Sequence, residues 1–139
     1  MKFLISMSDV EDEWDGLPPA ERERIDRCHE AFILELGPRY LGCHGLRPSA
    51  EAKTVRLHAD GRTSVCDGLA TPTKEPLGGF YLIEAEDLDA AIGVAARHPG
   101  AGVGTVEIRP VMELPGLPDG PLPRRGGAPS RSRHEGGYP

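Results

Sequence analysis

Asp67 follows a short alternating run and precedes Gly68, so its carboxylate sits where the chain leaves a strand for a loop. A carboxylate there can act as a base or hydrogen-bond a ligand. It can equally close an Asx-turn by accepting from the backbone two residues on. His29 lies four residues after Ile25 and four before Ile33, at the edge of an apolar helical stripe. An imidazole in that position can shuttle protons near neutral pH, or it can be an ordinary boundary histidine. Lys74-Glu75 also reads two ways: Lys74 neutralises an anionic ligand, or the two residues form a local ion pair of little value when exposed. Trp14, in a run of carboxylates, either closes over a cleft or anchors its own loop. Tyr81, in an aromatic strand, completes the set. A pairing of His29 with Asp67 depends on a distance that sequence does not give.

Other chemistries find less support. Cys28-His29 and Cys43-His44 are two Cys-His pairs, but neighbours on a helix point about 100° apart and do not chelate together easily. Structural zinc usually takes Cys-x-x-Cys spacing. No metal and no cofactor is expected. Nothing marks any cysteine as an activated nucleophile. Gly78-Gly79 does not lead into a helix with a following Lys-Ser/Thr, so it is no phosphate loop; it suits a bulge or a close backbone approach.

Composition sets the frame. The 139 residues suit one domain. Residues 115–139 hold six glycines and six prolines in 25 positions with almost no aliphatic side chains, and read as a disordered tail behind a domain of residues 1–114. The chain carries −6 and the tail +2, which leaves the domain at −8. An acidic body repels phosphate backbones, and the tail arginines have no interleaved aromatics on which bases stack. Nucleic acid is therefore not an expected partner. No apolar run is long enough to span a bilayer, and the N-terminus lacks the apolar core of a signal peptide. With three cysteines and no secretion signal, a cytoplasmic protein with reduced thiols is expected.

These side chains must be positioned by a short series of elements. Residues 2–7 read as a strand with Phe3, Ile5 and Met7 on one face. Leu17-Pro18-Pro19 announces a helix over 20–36, with Ile25, Cys28, Phe32 and Leu36 as its stripe. A weak strand follows at 40–46. Two strands at 54–59 and 62–66 flank Asp60-Gly61, a strong hairpin signal for a type I′ turn. A strand over 79–84 puts Phe80 and Leu82 on one face and Tyr81 and Ile83 on the other. Asp87 caps a helix over 88–97 with Leu88, Ala91, Ile92 and Ala95 as its face. The last strand spans 105–112. The order is the α+β, ferredoxin-like split βαβ with an added hairpin. Each helix has one apolar stripe, so both cover the same sheet face. The other face then needs a second subunit, which predicts a symmetric homodimer.

Residues 65–82 resemble the signature of the YCII-related (DGPF-type) family: Asp67-Gly68, then Lys74-Glu75, then Gly78-Gly79 and aromatics. The likeness continues through Gly45-Leu46, Asp60-Gly61, residues 87–91 and residues 106–110, and covers about 1–114. Leu69-Ala70 replaces the Pro-Phe of the name motif, so an aromatic wall is lost. The resemblance implies a dimeric α/β barrel whose members are mostly of unassigned activity. It implies a cleft holding a small organic or anionic molecule near Asp67, Lys74, Glu75, Tyr81 and His29, with acid–base chemistry by His29 and Asp67 left open. Some members sit beside or are fused to extracytoplasmic-function sigma factors. A non-catalytic module tied to such a factor is therefore the alternative.

Overall fold

The computed structural model describes residues 1–117. The tail expected at 115–139 lies almost wholly outside them.

Strand β1, Lys2–Ser8, shows the two-residue period directly. Phe3 and Ile5 are fully buried, and Leu4 and Ser6 between them are half-covered. The acidic run expected as a loop forms a one-turn helix, α1, Glu11–Asp15. Three carboxylates in its first turn suit the positive end of the peptide dipoles, a preference a hydropathy reading does not register. Helix α2, Pro19–Leu36, starts on its proline and buries Ile25, Phe32 and Leu36. Strand β2 is Tyr40–Gly45, β3 is Lys53–Leu57, β4 is Thr63–Asp67 and β5 is Leu77–Glu84. Helix α3, Leu88–Ala96, is capped by Asp87, whose Oδ1 accepts from the Ala90 N–H at 2.8 Å. Strand β6, Thr105–Pro110, closes the fold.

The main sheet has the order β2-β5-β1-β6 and is antiparallel throughout. Strands β3 and β4 form a separate two-stranded ribbon. This is the ferredoxin-like split βαβ with an added hairpin. Phe3, Ile5, Tyr81 and Ile83 point to one face and pack with Phe32, Leu36, Ala91, Val94 and Ala95 from the two helices. Leu4, Ser6, Phe80 and Leu82 form the opposite face, and each is only half-covered.

Two further details differ from the sequence reading. Helix α3 buries Ala91, Val94 and Ala95, while Leu88 and Ile92 stay about half exposed. Small side chains let the helix come close to the sheet. The larger Leu88 and Ile92 are left to flank a groove shared with Val106 and Ile108. The ribbon turn is not a two-residue type I′ turn either. The Gly61 N–H bonds the His58 carbonyl at 2.9 Å, the His58 N–H bonds the Arg62 carbonyl at 2.7 Å, and only Gly61 takes positive φ. The loop is therefore one residue longer, with its glycine in the left-handed position.

Glycines fix two close approaches at one end of β1. Gly78 is skipped in the β1–β5 register, a bulge, and a Cβ on Gly79 would lie 2.9 Å from the His44 carbonyl oxygen. At Gly104 a Cβ would lie 2.6 Å from the Ser8 carbonyl oxygen. Gly104→Ala should therefore cost about 1–3 kcal/mol in urea unfolding, because backbone must move. Gly93→Ala is the contrast. That site in α3 has nothing within 4 Å, so alanine should stabilise by up to about 1 kcal/mol through helix propensity.

Candidate functional site

The structure gathers titratable and aromatic groups between α2, β5 and the turn after α3. Tyr81 stands on the helix-covered face of β5, opposite Ile5 of β1 and Cys43 of β2. Burial raises its phenol well above the usual range, with neighbouring Cys43 and Tyr40 adding to the shift, so the phenol keeps its proton. Its Oη is hydrogen-bonded to Nδ1 of His29 at 2.6 Å, and the two rings lie nearly parallel, 14° apart. His29 reaches this position because residue 29 borders the buried stripe of α2. It is half-buried, and desolvation pushes its pKa below the ordinary value, opposed by the nearby Asp26 carboxylate. Where the phenol donates this bond, the neutral imidazole accepts through Nδ1 and carries its own proton on Nε2.

His98 lies beneath this pair. Only 3% exposed, it meets Tyr81, His29 and Phe32 edge to face at ring separations of 4.9, 5.2 and 5.3 Å. Nδ1 accepts from the Gly100 N–H at 2.9 Å, which places its proton on Nε2. That atom is buried and has no hydrogen-bond partner among the described residues. Burial, with the charge of His29 as a second cause, pushes the His98 pKa down to about 4. Tyr40 Oη donates to Cys43 Sγ at 3.3 Å on the far side of Tyr81. The cluster holds one neutral half-exposed imidazole against a protonated phenol, with a second neutral imidazole behind. It can accept a proton from a bound molecule and return it.

The other expected residues lie elsewhere. Trp14 lines a cleft of about 100 Å³ with Asp9, Val10, Glu13, Leu17 and Val103, and Arg22 covers its ring at 5.9 Å. Asp9 in that cleft is held above the usual carboxylate range by burial first, then by Glu11, Glu13 and Glu75. Glu75 does not pair with Lys74; its Oε1 accepts from Thr105 Oγ1 at 3.3 Å, and Lys74 is exposed. Residues 98–104 join the two places, since His98 begins the turn, Val103 walls the cleft and Gly104 abuts Asp9. Asp67 ends β4 as expected, but its partner is Lys53 across the ribbon, and its side chain is 85% exposed. His29 is paired with Tyr81, and no contact among the described residues joins it to Asp67. His98 escaped the sequence reading because His98-Pro99-Gly100 looks only like a helix stop. Cys28 and Cys43 are half-buried free thiols and Cys66 an exposed one.

The YCII-related domain family matches residues 1–115, and the chain belongs to that family. An uncharacterised protein of Rhizobium meliloti (strain 1021) is 43% identical over 68 residues, which are 48% of this chain and 54% of that protein. The chain thus spans about half the length of the curated relative it matches. A solved structure of 5-chloro-2-hydroxyhydroquinone dehydrochlorinase from Burkholderia phenoliruptrix AC1100, in complex with 2,5-dihydroxybenzoquinone, is similar at 22% identity. The alignment covers 82% of this chain and 96% of that one, with a TM-score of 0.44. No helix among the described residues is long and apolar enough to cross a membrane.

Proposed function

We propose that this protein binds a small organic molecule carrying an acidic proton or anionic oxygen, and that His29 is the group that meets it. The observation that carries the reading is the 2.6 Å bond between Tyr81 Oη and His29 Nδ1, made by a half-buried imidazole that burial keeps neutral. A neutral imidazole of fixed tautomer offers one defined N–H to a ligand oxygen, and takes up a proton once that oxygen supplies negative charge nearby. Tyr81 and His98 then act through His29, by orienting it and by keeping its surroundings dry. Lys74 is exposed on the loop before β5 and is assigned no part in the His29 site. Asp67 is assigned a lesser part, since Lys53 already takes its carboxylate.

We further propose a homodimer and a cytoplasmic setting. The half-covered sheet face of Leu4, Phe80 and Leu82 supports the dimer, because an apolar sheet face gains by losing water. The interaction-module alternative calls for an exposed apolar patch. Val55, Leu57 and Val65 on the β3–β4 ribbon supply one.

A thermal-shift screen against a library of small carboxylates, phenols and enols tests the reading, run beside His29→Ala and Asp67→Ala. A ligand at 100 times its Kd stabilises the fold by about 2.7 kcal/mol. Hits should raise the wild-type and Asp67→Ala midpoints and leave that of His29→Ala unmoved. Hits that stabilise His29→Ala equally would remove His29 from the site.

A further inference from the structure

We infer that the cleft beside Trp14 is a docking site for this chain's own C-terminal segment. Pro121-Leu122-Pro123 lies against its apolar wall, and the arginines that follow meet its acidic rim.

The cleft joins an apolar wall to an uncompensated acidic edge. Val10, Trp14, Leu17 and Val103 line it, with Asp9 and Glu13 beside them. Residues 9–15 hold five carboxylates and no cation. Glu11 is taken by Ser49, accepting from its backbone N–H at 2.6 Å and its hydroxyl at 2.7 Å. Asp9, Asp12, Glu13 and Asp15 make no ion pair among the described residues. Arg22 lies over the Trp14 ring, but its Nη2 donates to the Asp15 backbone carbonyl and not to a carboxylate. Burial, then the charges of Glu11, Glu13 and Glu75, keep Asp9 above the usual carboxylate range, which is the mark of carboxylates crowded together. Such a cleft favours an occupant that is apolar on one side and cationic on the other.

Charge and reach select the occupant. Residues 120–134 carry Arg124, Arg125, Arg131 and Arg133 and no carboxylate, and no other fifteen-residue stretch of the chain has so positive a balance. The cations of the other positive stretches are in part committed already, Lys53 and Arg62 within the ribbon and Arg47 to Glu51. The prolines at 121 and 123 favour the extended helix that aromatic-lined grooves accept, and two arginines follow directly. The chain leaves the sheet beside Lys2, whose carbonyl accepts from the Val111 N–H at 2.9 Å. The cleft begins at Asp9, past the other end of β1. Seven residues of strand cover about 23 Å at about 3.3 Å each. The ten steps from Val111 to Pro121 extend to about 31 Å at about 3.1 Å each, so the segment reaches the cleft with slack. A tether of this kind gives an effective concentration in the millimolar range, at which weak contacts suffice.

Trp14 is the single tryptophan of the chain, so its fluorescence reads the cleft without a label. Quenching by acrylamide, which is uncharged, is measured on the full chain as wild type and as Arg124→Glu/Arg125→Glu. The wild-type quenching constant should be low at about 0.01 M salt and rise at least about twofold by about 1 M, as the Debye length falls from about 30 Å to about 3 Å. The variant should show the high value already at low salt, with an unchanged far-UV spectrum. Equal quenching of wild type and folded variant at low salt overturns the docking. Where the variant fails to fold, the wild type decides: a constant that salt does not move overturns it as well. Shielding of Trp14 that strengthens as the wild type is concentrated gives the cleft to the tail of another copy, and that also overturns docking within one chain.

Discussion

Replacing Phe32 with alanine should cost the fold about 3–5 kcal/mol and release the His29–Tyr81 pair in the same step. Phe32 is 4% exposed and lies one turn beyond His29 on α2. Its ring meets Tyr81 at 5.6 Å and His98 at 5.3 Å, both near perpendicular. Alanine removes that ring and leaves a void beside three polar tips. Water entering the void would raise the local dielectric and relax the desolvation that keeps both imidazoles neutral. For a domain of this size the cost is a large share of a total near 5–15 kcal/mol. Phe32→Leu fills much of the space and should cost less than half as much. Urea unfolding gives the energies. The imidazole resonances report the site, and in Phe32→Ala the His98 titration should move up toward the ordinary histidine value.

The second large effect is in pH. His98 has a folded-state pKa near 4 against an ordinary value of 6.5. Between these values the unfolded chain holds a proton on this residue and the folded chain does not, so stability rises with pH. The stability due to neutral burial is present in full above pH 6.5 and is lost as pH falls through 4, an effect of about 3 kcal/mol. His29 is shifted in the same direction and adds to the loss. Asp9, raised by burial and by Glu11, Glu13 and Glu75, has the opposite sign: its contribution grows as the pH drops through its folded pKa, and it offsets part of the loss. His98→Asn retains a side-chain acceptor for the Gly100 N–H in an Asx-turn and does not titrate. Urea midpoints at pH 7 and pH 4 should differ strongly for wild type and much less for His98→Asn. An equal pH slope in the two proteins would show that the cluster does not hold His98 neutral.

The elements with a local physical cause were legible. Pro19 opens α2, Asp87 caps α3, and the two-residue period of β5 sends Tyr81 and Ile83 inward while Phe80 and Leu82 face out. The face assignment led directly to an unpartnered side of the sheet. The site was half legible. His29 and Tyr81 were both singled out, but their meeting spans 52 positions and depends on how α2 lies across β5, which no local pattern encodes. Asp67 drew attention as a carboxylate at a strand end, yet its partner Lys53 lies across the ribbon, where pairing register decides. His98 had the weakest signal of all. Its burial follows from the turn at Pro99–Gly102 folding back over the sheet end, where a Cβ on Gly100 would lie 3.1 Å from Met7 Sδ.

The most direct test of the account follows the His29 imidazole by long-range ¹H–¹⁵N NMR at neutral pH while thermal-shift hits are added. In the free protein the ring should be neutral and protonated on Nε2. Its resonances should move with saturation and lose that response in Tyr81→Phe, whose ring has no hydroxyl to fix the tautomer. Hits that bind with full occupancy, leave His29 unmoved and perturb only the Trp14 cleft or the ribbon would contradict it.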